Sequence, residues 1–327
     1  MLTGHSEQPA GFSSQKPQDT DDPSITAVAN SLLRPRGSAL TPVVVMPDKI
    51  VHRTGRVIPG QFAGPMGKSR EPWFLNISPY HPQHYGAYPE YLFHHASGAK
   101  EDAGLTFRSP QLTLPSGLNL KRVADRVALR QDLQQQSRLL ESVAGDAAFD
   151  RYQTAAIDLL ANGESQNAFD LSKADPKQIE RYGDHSFGWS LLMARNLVES
   201  GVNLVQVNLG NNETWDTHQA AFPNLKNFLL PPLDQSLSAL LEDLDASGLL
   251  DETMVVVASE FGRTPKISRI PSAKLPGRDH WGAVQSVLFA GGGVKGGNVI
   301  GSSDKIGAYP AEDPQKPENF AATIYHA

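Results

Sequence analysis

A chain of 327 residues, 39% hydrophobic and 20% charged, exceeds the usual one-domain length and carries enough apolar side chain for a substantial core, which argues against global disorder. A formal net charge of −6 without any long basic run excludes a nucleic-acid backbone as the natural partner. Zero cysteines exclude disulfides, thiolate zinc sites, iron–sulfur clusters and a cysteine nucleophile; no apolar run approaches the roughly 20 residues of a membrane span, and the first thirty residues lack a signal peptide's apolar core, so the chain as written is expected to be cytoplasmic.

Gly11 to Pro23 is polar and contains prolines, the texture of an exposed loop or lid. Ser24 is placed to cap a short helix running through Leu33, and Pro42-Val43-Val44-Val45-Met46-Pro47 predicts a buried strand closed by prolines. The segment 48–119 is dense in Gly, Pro and aromatics and reads as irregular chain packed over a site or across a surface. The segment 120–200 reads as helical. Val123, Val127, Leu129, Leu133, Leu139, Leu140 and Val143 recur at helical spacing from Leu120 to Val143. A second helix is expected from Ala147 to Leu160 after Gly145-Asp146, with shorter ones at Pro176 to Tyr182 and Phe187 to Ser200.

Strand and helix then alternate. Val202 to Asn208 predicts a strand, Leu225 to Ala246 a long helix that Pro231-Pro232 should kink or restart, Met254 to Ala258 a buried strand and Val284 to Phe289 another. This order predicts a parallel sheet covered by helices, and Pro317 to Ala327 a final helix.

Parallel-sheet proteins place ligands at the carboxyl ends of their strands, so the residues that follow the predicted strands carry the functional reading. The first strand runs into Trp215-Asp216-Thr217-His218 and the second into Ser259-Glu260-Phe261-Gly262-Arg263, while Gly277-Arg278-Asp279-His280-Trp281 precedes the third. Carboxylate and imidazole donors of this kind suit Zn²⁺, Mn²⁺ or Mg²⁺. Each also has a plainer reading: a surface histidine for His218, an ion pair with Arg263 or Arg278 for Glu260, and an acid orienting a structural histidine for Asp279-His280. The group His81, His84, His94 and His95 reads as ordinary loop hydrogen bonding rather than a second metal site. Gly291, Gly293 and Gly296 match the dinucleotide pattern in spacing only, because Lys295 to Gly301 reads as a turn into a strand and opens no helix for a pyrophosphate.

The run from Gly248 to Gly262 resembles the sulfatases and the wider alkaline phosphatase superfamily, where a Gly-Leu-x-Asp-x-Thr turn precedes a buried strand and a metal-binding Asp-His-Gly. Here Glu260 stands for the acid and Phe261 for the histidine. Together with Trp215 to His218, Gly262-Arg263-Thr264-Pro265, Gly277 to Trp281 and Phe289 to Gly293, the chain is similar over nearly its whole length to the bacterial domain-of-unknown-function 1501 family, a sulfatase-like branch. The resemblance implies an α/β fold, a three-layer α/β/α sandwich with a mostly parallel central sheet. It implies Asp216, His218, Glu260 and His280 as ligands of a divalent metal (Zn, Mn, Mg or Ca), with Asp279 as a ligand or the residue behind one. Arg263 or Arg278 would bind an anionic ester, a small molecule or a polysaccharide. Met1-Leu2-Thr3-Gly4 resembles the close of the sulfatase signature, which implies a nucleophile and first strand upstream, a domain cut at both ends and inactive as it stands, and exported full-length relatives. Two functions follow from the resemblance: a metal-dependent hydrolase of sulfate or phosphate esters, or a non-catalytic binding protein on the same scaffold. The ester class and the oligomeric state stay open.

Overall fold

A computed structural model describes residues 1–34, 36, 41–78, 80–109, 121–122, 125–126, 128–129, 167–210, 213–271 and 273–327. Helix α1, Ile25–Leu32, starts where Ser24 accepts a hydrogen bond from the Ala27 amide at 3.1 Å, the expected N-cap. It leads to β1, Val43–Met46, in which all four residues are buried. β1 is the centre of a parallel three-stranded sheet, flanked by β2 (Trp73–Phe74) and β5 (Leu204–Val207), with Val44 opposite both Trp73 and Val205. A central parallel strand is covered on both faces, which accounts for an unbroken apolar run here.

The segment 48–119 is less irregular than its composition suggests. It supplies β2 and the antiparallel pair β3 (Tyr85–Ala87) and β4 (Tyr91–Phe93). These strands of two or three residues are too short to show a period of two, and their partners, not their sequence, make them strands. Of the helix expected over 120–143, residues Lys121, Arg122, Asp125, Arg126, Ala128 and Leu129 are helical; the rest of it, and the helix expected over 147–160, lie outside the described residues.

Two helices follow as expected, α2 (Pro176–Tyr182) and α3 (Ser186–Glu199). After β5 come a short helix α4 (Ala221–Asn224), a π-helical turn (Leu225–Leu229) and the long helix α5 (Leu230–Ala246). Pro231 and Pro232 occupy the first turn of α5, where their missing amides cost nothing, and so they reset the helix start. The main core joins α3 and α5 to the sheet through Val44, Met46, Ile77, Phe169, Leu192, Met193, Leu197, Leu240 and Leu244. A second cluster under the β3–β4 hairpin holds Ala87, Phe93, Phe187, Phe228 and Leu229.

The remaining strands depart from the expected single, mostly parallel sheet: they pair antiparallel and apart from it. β6, Val255–Val257, pairs antiparallel with β9, Leu288–Ala290, placing Val256 opposite Phe289. β9 starts later than expected because the chain before it is claimed elsewhere. The Val284 carbonyl lies so close to Gly262 that a Cβ there would sit 1.8 Å from it. Between these strands in the sequence lies a further antiparallel pair, β7 (Gly262–Arg263) with β8 (His280–Trp281). A hairpin of β10 (Ser302–Ser303) and β11 (Pro310–Glu312) follows, and α6 (Pro317–His326) closes the chain. Ser6 donates through its amide and its hydroxyl to Glu318, each at 2.7 Å, which ties the N-terminal loop to α6 and holds that carboxyl at a pKa of about 2.

The structure is therefore mixed α/β with a small parallel sheet. Helix α5 connects β5 to β6, yet the two strands are not hydrogen-bonded to each other. A cavity of about 1590 Å³ is lined by both, including Val205, Val207, Val255 and Val257. This is why β5 and β6 are half-buried while the equally apolar β1 is fully buried. No helix among the described residues is long and apolar enough to cross a membrane.

The difference in burial sets a stability contrast. Leu192→Ala in the fully buried core should cost about 2–5 kcal/mol, whereas Val256→Ala on half-buried β6 should cost less than about 1.5 kcal/mol. Urea unfolding of the two variants against the parent chain checks this ordering.

Candidate metal centre

The carboxyl end of β5 runs into a loop anchored from several sides. The Trp215 ring nitrogen donates to the Leu209 carbonyl at 2.8 Å, and its ring stacks on Phe187 with centroids 6.2 Å apart. The Thr214 hydroxyl, buried, accepts from the Gly86 amide at 3.0 Å. Backbone bonds from Thr217 to Trp215 and from His218 to Asp216, both 3.0 Å, curl the chain tightly. Asp216 and His218 thereby project toward the same point.

The other half of the site comes from the β7–β8 pair, in which Arg263 lies directly opposite His280. His280 Nε2 donates to Asp216 Oδ1 at 2.8 Å, and His218 Nε2 lies 3.1 Å from His280 Nε2 and 3.2 Å from Asp216 Oδ1. One ligand atom from each of Asp216, His218 and His280 thus falls within 4.8 Å of the others. Among the described residues this is the one such group.

The remaining candidates take different places. Asp279 stands behind the cluster, its Oδ1 accepting from His218 Nδ1 at 2.8 Å and its Oδ2 from the Ser268 hydroxyl at 2.8 Å. Glu260 does not join the three. It is exposed on the turn after β6 and lines the same cavity, close enough to the Met1 ammonium to act on it electrostatically. The expected four-residue cluster is a cluster of three, because Glu260 stands on a bend three residues beyond the end of β6 at Val257 and outside the group formed by Asp216, His218 and His280. Phe261, which replaces a histidine in the resemblance, packs its ring against His280 with centroids 4.4 Å apart.

Both arginines serve the protein's own oxygens. Arg263 Nη2 donates to Asp216 Oδ1 at 2.6 Å and to the Trp215 carbonyl at 3.1 Å, and its Nη1 to the Arg278 carbonyl at 3.2 Å. Arg278 donates to the carbonyls of Thr264 and Arg263. Burial disfavours the Asp216 carboxylate, but hydrogen bonds from His280 and Arg263 outweigh it and hold its pKa below the usual carboxylate value. Hydrogen bonds from His218 and Ser268 lower that of Asp279.

The histidine group of the 48–119 segment disperses into loop contacts, as its sequence reading expects. His81 and His84 stack at 4.0 Å, and His94 accepts from the Ala96 amide. His95 alone touches the site: its Nε2 donates to the Asp216 carbonyl at 2.7 Å, and burial lowers its pKa. Sequence reading missed this role, since nothing local marks a residue whose partner lies 121 positions away. Gly291, Gly292 and Gly293 all have positive φ and form a turn without a following helix, in keeping with the rejected dinucleotide reading.

Fold and cluster together define a mixed α/β protein with a possible metal site of one carboxylate and two imidazoles. The chain belongs to the DUF1501 family, described as proteins of unknown function, which it matches over residues 4–327. Among curated proteins and solved structures no match is found.

The acidic side of the site predicts a pH dependence. Asp216 and Asp279 have lowered folded values, so their stabilising contribution is complete above the unfolded value of about 3.9 and is lost as pH falls through the lower folded values. The stability gap between the parent and Asp216→Asn should therefore be widest near neutrality and close as the pH falls below about 4. Urea unfolding at a series of pH values measures it.

Proposed function

We propose that Asp216, His218 and His280 hold one divalent cation, and that with it the protein acts on an anionic sulfate or phosphate ester. The observation that carries this reading is the convergence of the three donors, two from the end of β5 and one 64 residues later on β8. Their chemistry fits a cation. With the Nδ1 proton given to Asp279, a neutral His218 presents a lone pair at Nε2 only 3.2 Å from a carboxylate oxygen, an arrangement that a positive ion relieves.

Three protein ligands leave a position open, as in hydrolytic rather than structural zinc sites. A bound ion of this type supplies Lewis acidity and lowers the pKa of coordinated water. The chain's own residues supply the frame. Arg263 holds Asp216 and the Trp215 carbonyl with Nη2 and keeps its Nε and one Nη1 hydrogen for an anionic oxygen, and Arg278 likewise retains donors. Glu260, in the same cavity, is the outer carboxylate of this reading. The finer placement, an alkaline phosphatase-like three-layer sandwich of the sulfatase branch, rests on the sequence motifs.

A second reading, a binding protein without catalysis, is favoured by one feature. Phe261 packs on His280 where the resemblance has a further ligand, so the described residues gather donors for one ion and not two.

Calorimetric titration with Zn²⁺ and Mn²⁺, alongside hydrolysis of p-nitrophenyl sulfate and p-nitrophenyl phosphate, separates the outcomes. The parent should bind one ion, and Asp216→Ala and His280→Ala should each weaken binding at least tenfold, the lower end of losses seen for residues that merely support ligands. Ion-dependent turnover supports the hydrolase, and ion binding by itself supports the cation site that both readings share. Absence of binding, or unchanged binding in both variants, overturns the metal reading.

A further inference from the structure

We infer that Ser268 is a positioning residue for the cluster: through Asp279 it fixes the His218 ring so that Nε2 faces the Asp216–His280 side as an unprotonated ligand. This deepens the metal reading above and rests on it for its consequence, though not for its geometry.

The chain of contacts is short and direct. The Ser268 hydroxyl donates to Asp279 Oδ2 at 2.8 Å, leaving Oδ1 to accept from His218 Nδ1, also at 2.8 Å. An ionised carboxylate only accepts, so Nδ1 is the protonated nitrogen, and the other nitrogen of a neutral ring carries the lone pair. That nitrogen is the one 3.1 Å from His280 and 3.2 Å from Asp216. A carboxylate behind a ligating imidazole orients the ring and raises its basicity, and losing such support costs about 10–100-fold in metal affinity. Asp279 is half-exposed, and without a second partner its carboxylate would be free to turn away from His218; Ser268 occupies the other oxygen and holds it.

Ser268 is itself fixed by backbone. Its amide donates to the Gly277 carbonyl at 3.0 Å, and the Gly277 amide donates back at 2.8 Å, closing the loop two residues before Asp279. Gly277 in turn lies directly against the His218 backbone, where a Cβ would stand 2.1 Å from the His218 carbonyl oxygen. A glycine is required there for the two segments to come this close, and the approach brings Asp279 within reach of the ring. Sequence spacing shows none of this, because Ser268 lies in a loop without any motif.

The test uses the full chain labelled with ¹⁵N-histidine, with His218→Gln to assign the signal. In the metal-free protein, at a pH well above the ordinary imidazole value of about 6.5, ¹⁵N–¹H correlation should show His218 protonated at Nδ1. Ser268→Ala should shift it toward the Nε2-protonated form and weaken Zn²⁺ binding about tenfold. Ser268→Thr, which keeps the hydroxyl, should restore both, with the thermal midpoint recorded for each variant. A parent ring protonated at Nε2 overturns the inference. So does a Ser268→Ala variant that keeps the parent's tautomer, or a loss of affinity that follows the thermal midpoint and is not rescued by threonine. If the parent binds no Zn²⁺, the metal reading falls by itself, and the metal-free tautomer still decides the role of Ser268.

Discussion

Oδ1 of Asp216 accepts from Arg263 at 2.6 Å and from His280 at 2.8 Å, and these two bonds join the end of the parallel sheet to the β7–β8 pair. β5 delivers the carboxylate; the antiparallel pair delivers both donors, on residues that face each other across it. The same Arg263 nitrogen also binds the Trp215 carbonyl, so the loop is held by backbone as well as by charge. Because Asp216 is partly buried, charge-assisted bonds of this kind to its Oδ1 are stronger than exposed surface pairs. Geometry at the candidate metal centre follows from them: His218 is placed by its two-residue distance from Asp216, and His280 by its pairing with Arg263.

Around this joint the scaffold is unevenly covered. β1 is buried on every side, whereas β5 and β6, of the same apolar composition, face a cavity shared with the site loops. The strand–helix–strand unit of β5, α5 and β6 sends both strand ends toward one site without pairing the strands themselves. The site therefore stands at the rim of an apolar opening, lined by Val207 and Val257 as well as by Asp216 and His280, rather than on a closed sheet edge.

Several elements were legible in the residues. Ser24 as a cap, the proline-closed run of β1, the restart of α5 at Pro231-Pro232 and the strand of Val255–Val257 all follow from local chemistry: a side-chain oxygen for free amides, missing amides at a first turn, and unbroken apolar runs. Asp216, His218 and His280 were legible too, as carboxylate and imidazole donors near strand ends, and the family is supported by the match over residues 4–327. β2, β3 and β4 were not, since strands of two or three residues exist through their partners.

By itself the sequence determined which segments bury apolar surface and which short stretches carry donors, because both depend on neighbours a few positions apart. Tertiary structure alone decided that β6 pairs antiparallel with β9, that Glu260 stays outside the cluster, and that Arg263 and Arg278 donate to the protein's own oxygens. It also decided that His95 and Ser268 support the site from 121 and 11 positions away from their partners. Each of these depends on where distant backbone comes to rest, as at Gly262 and Gly277, where the absence of a side chain lets two segments meet and so chooses which side chains touch.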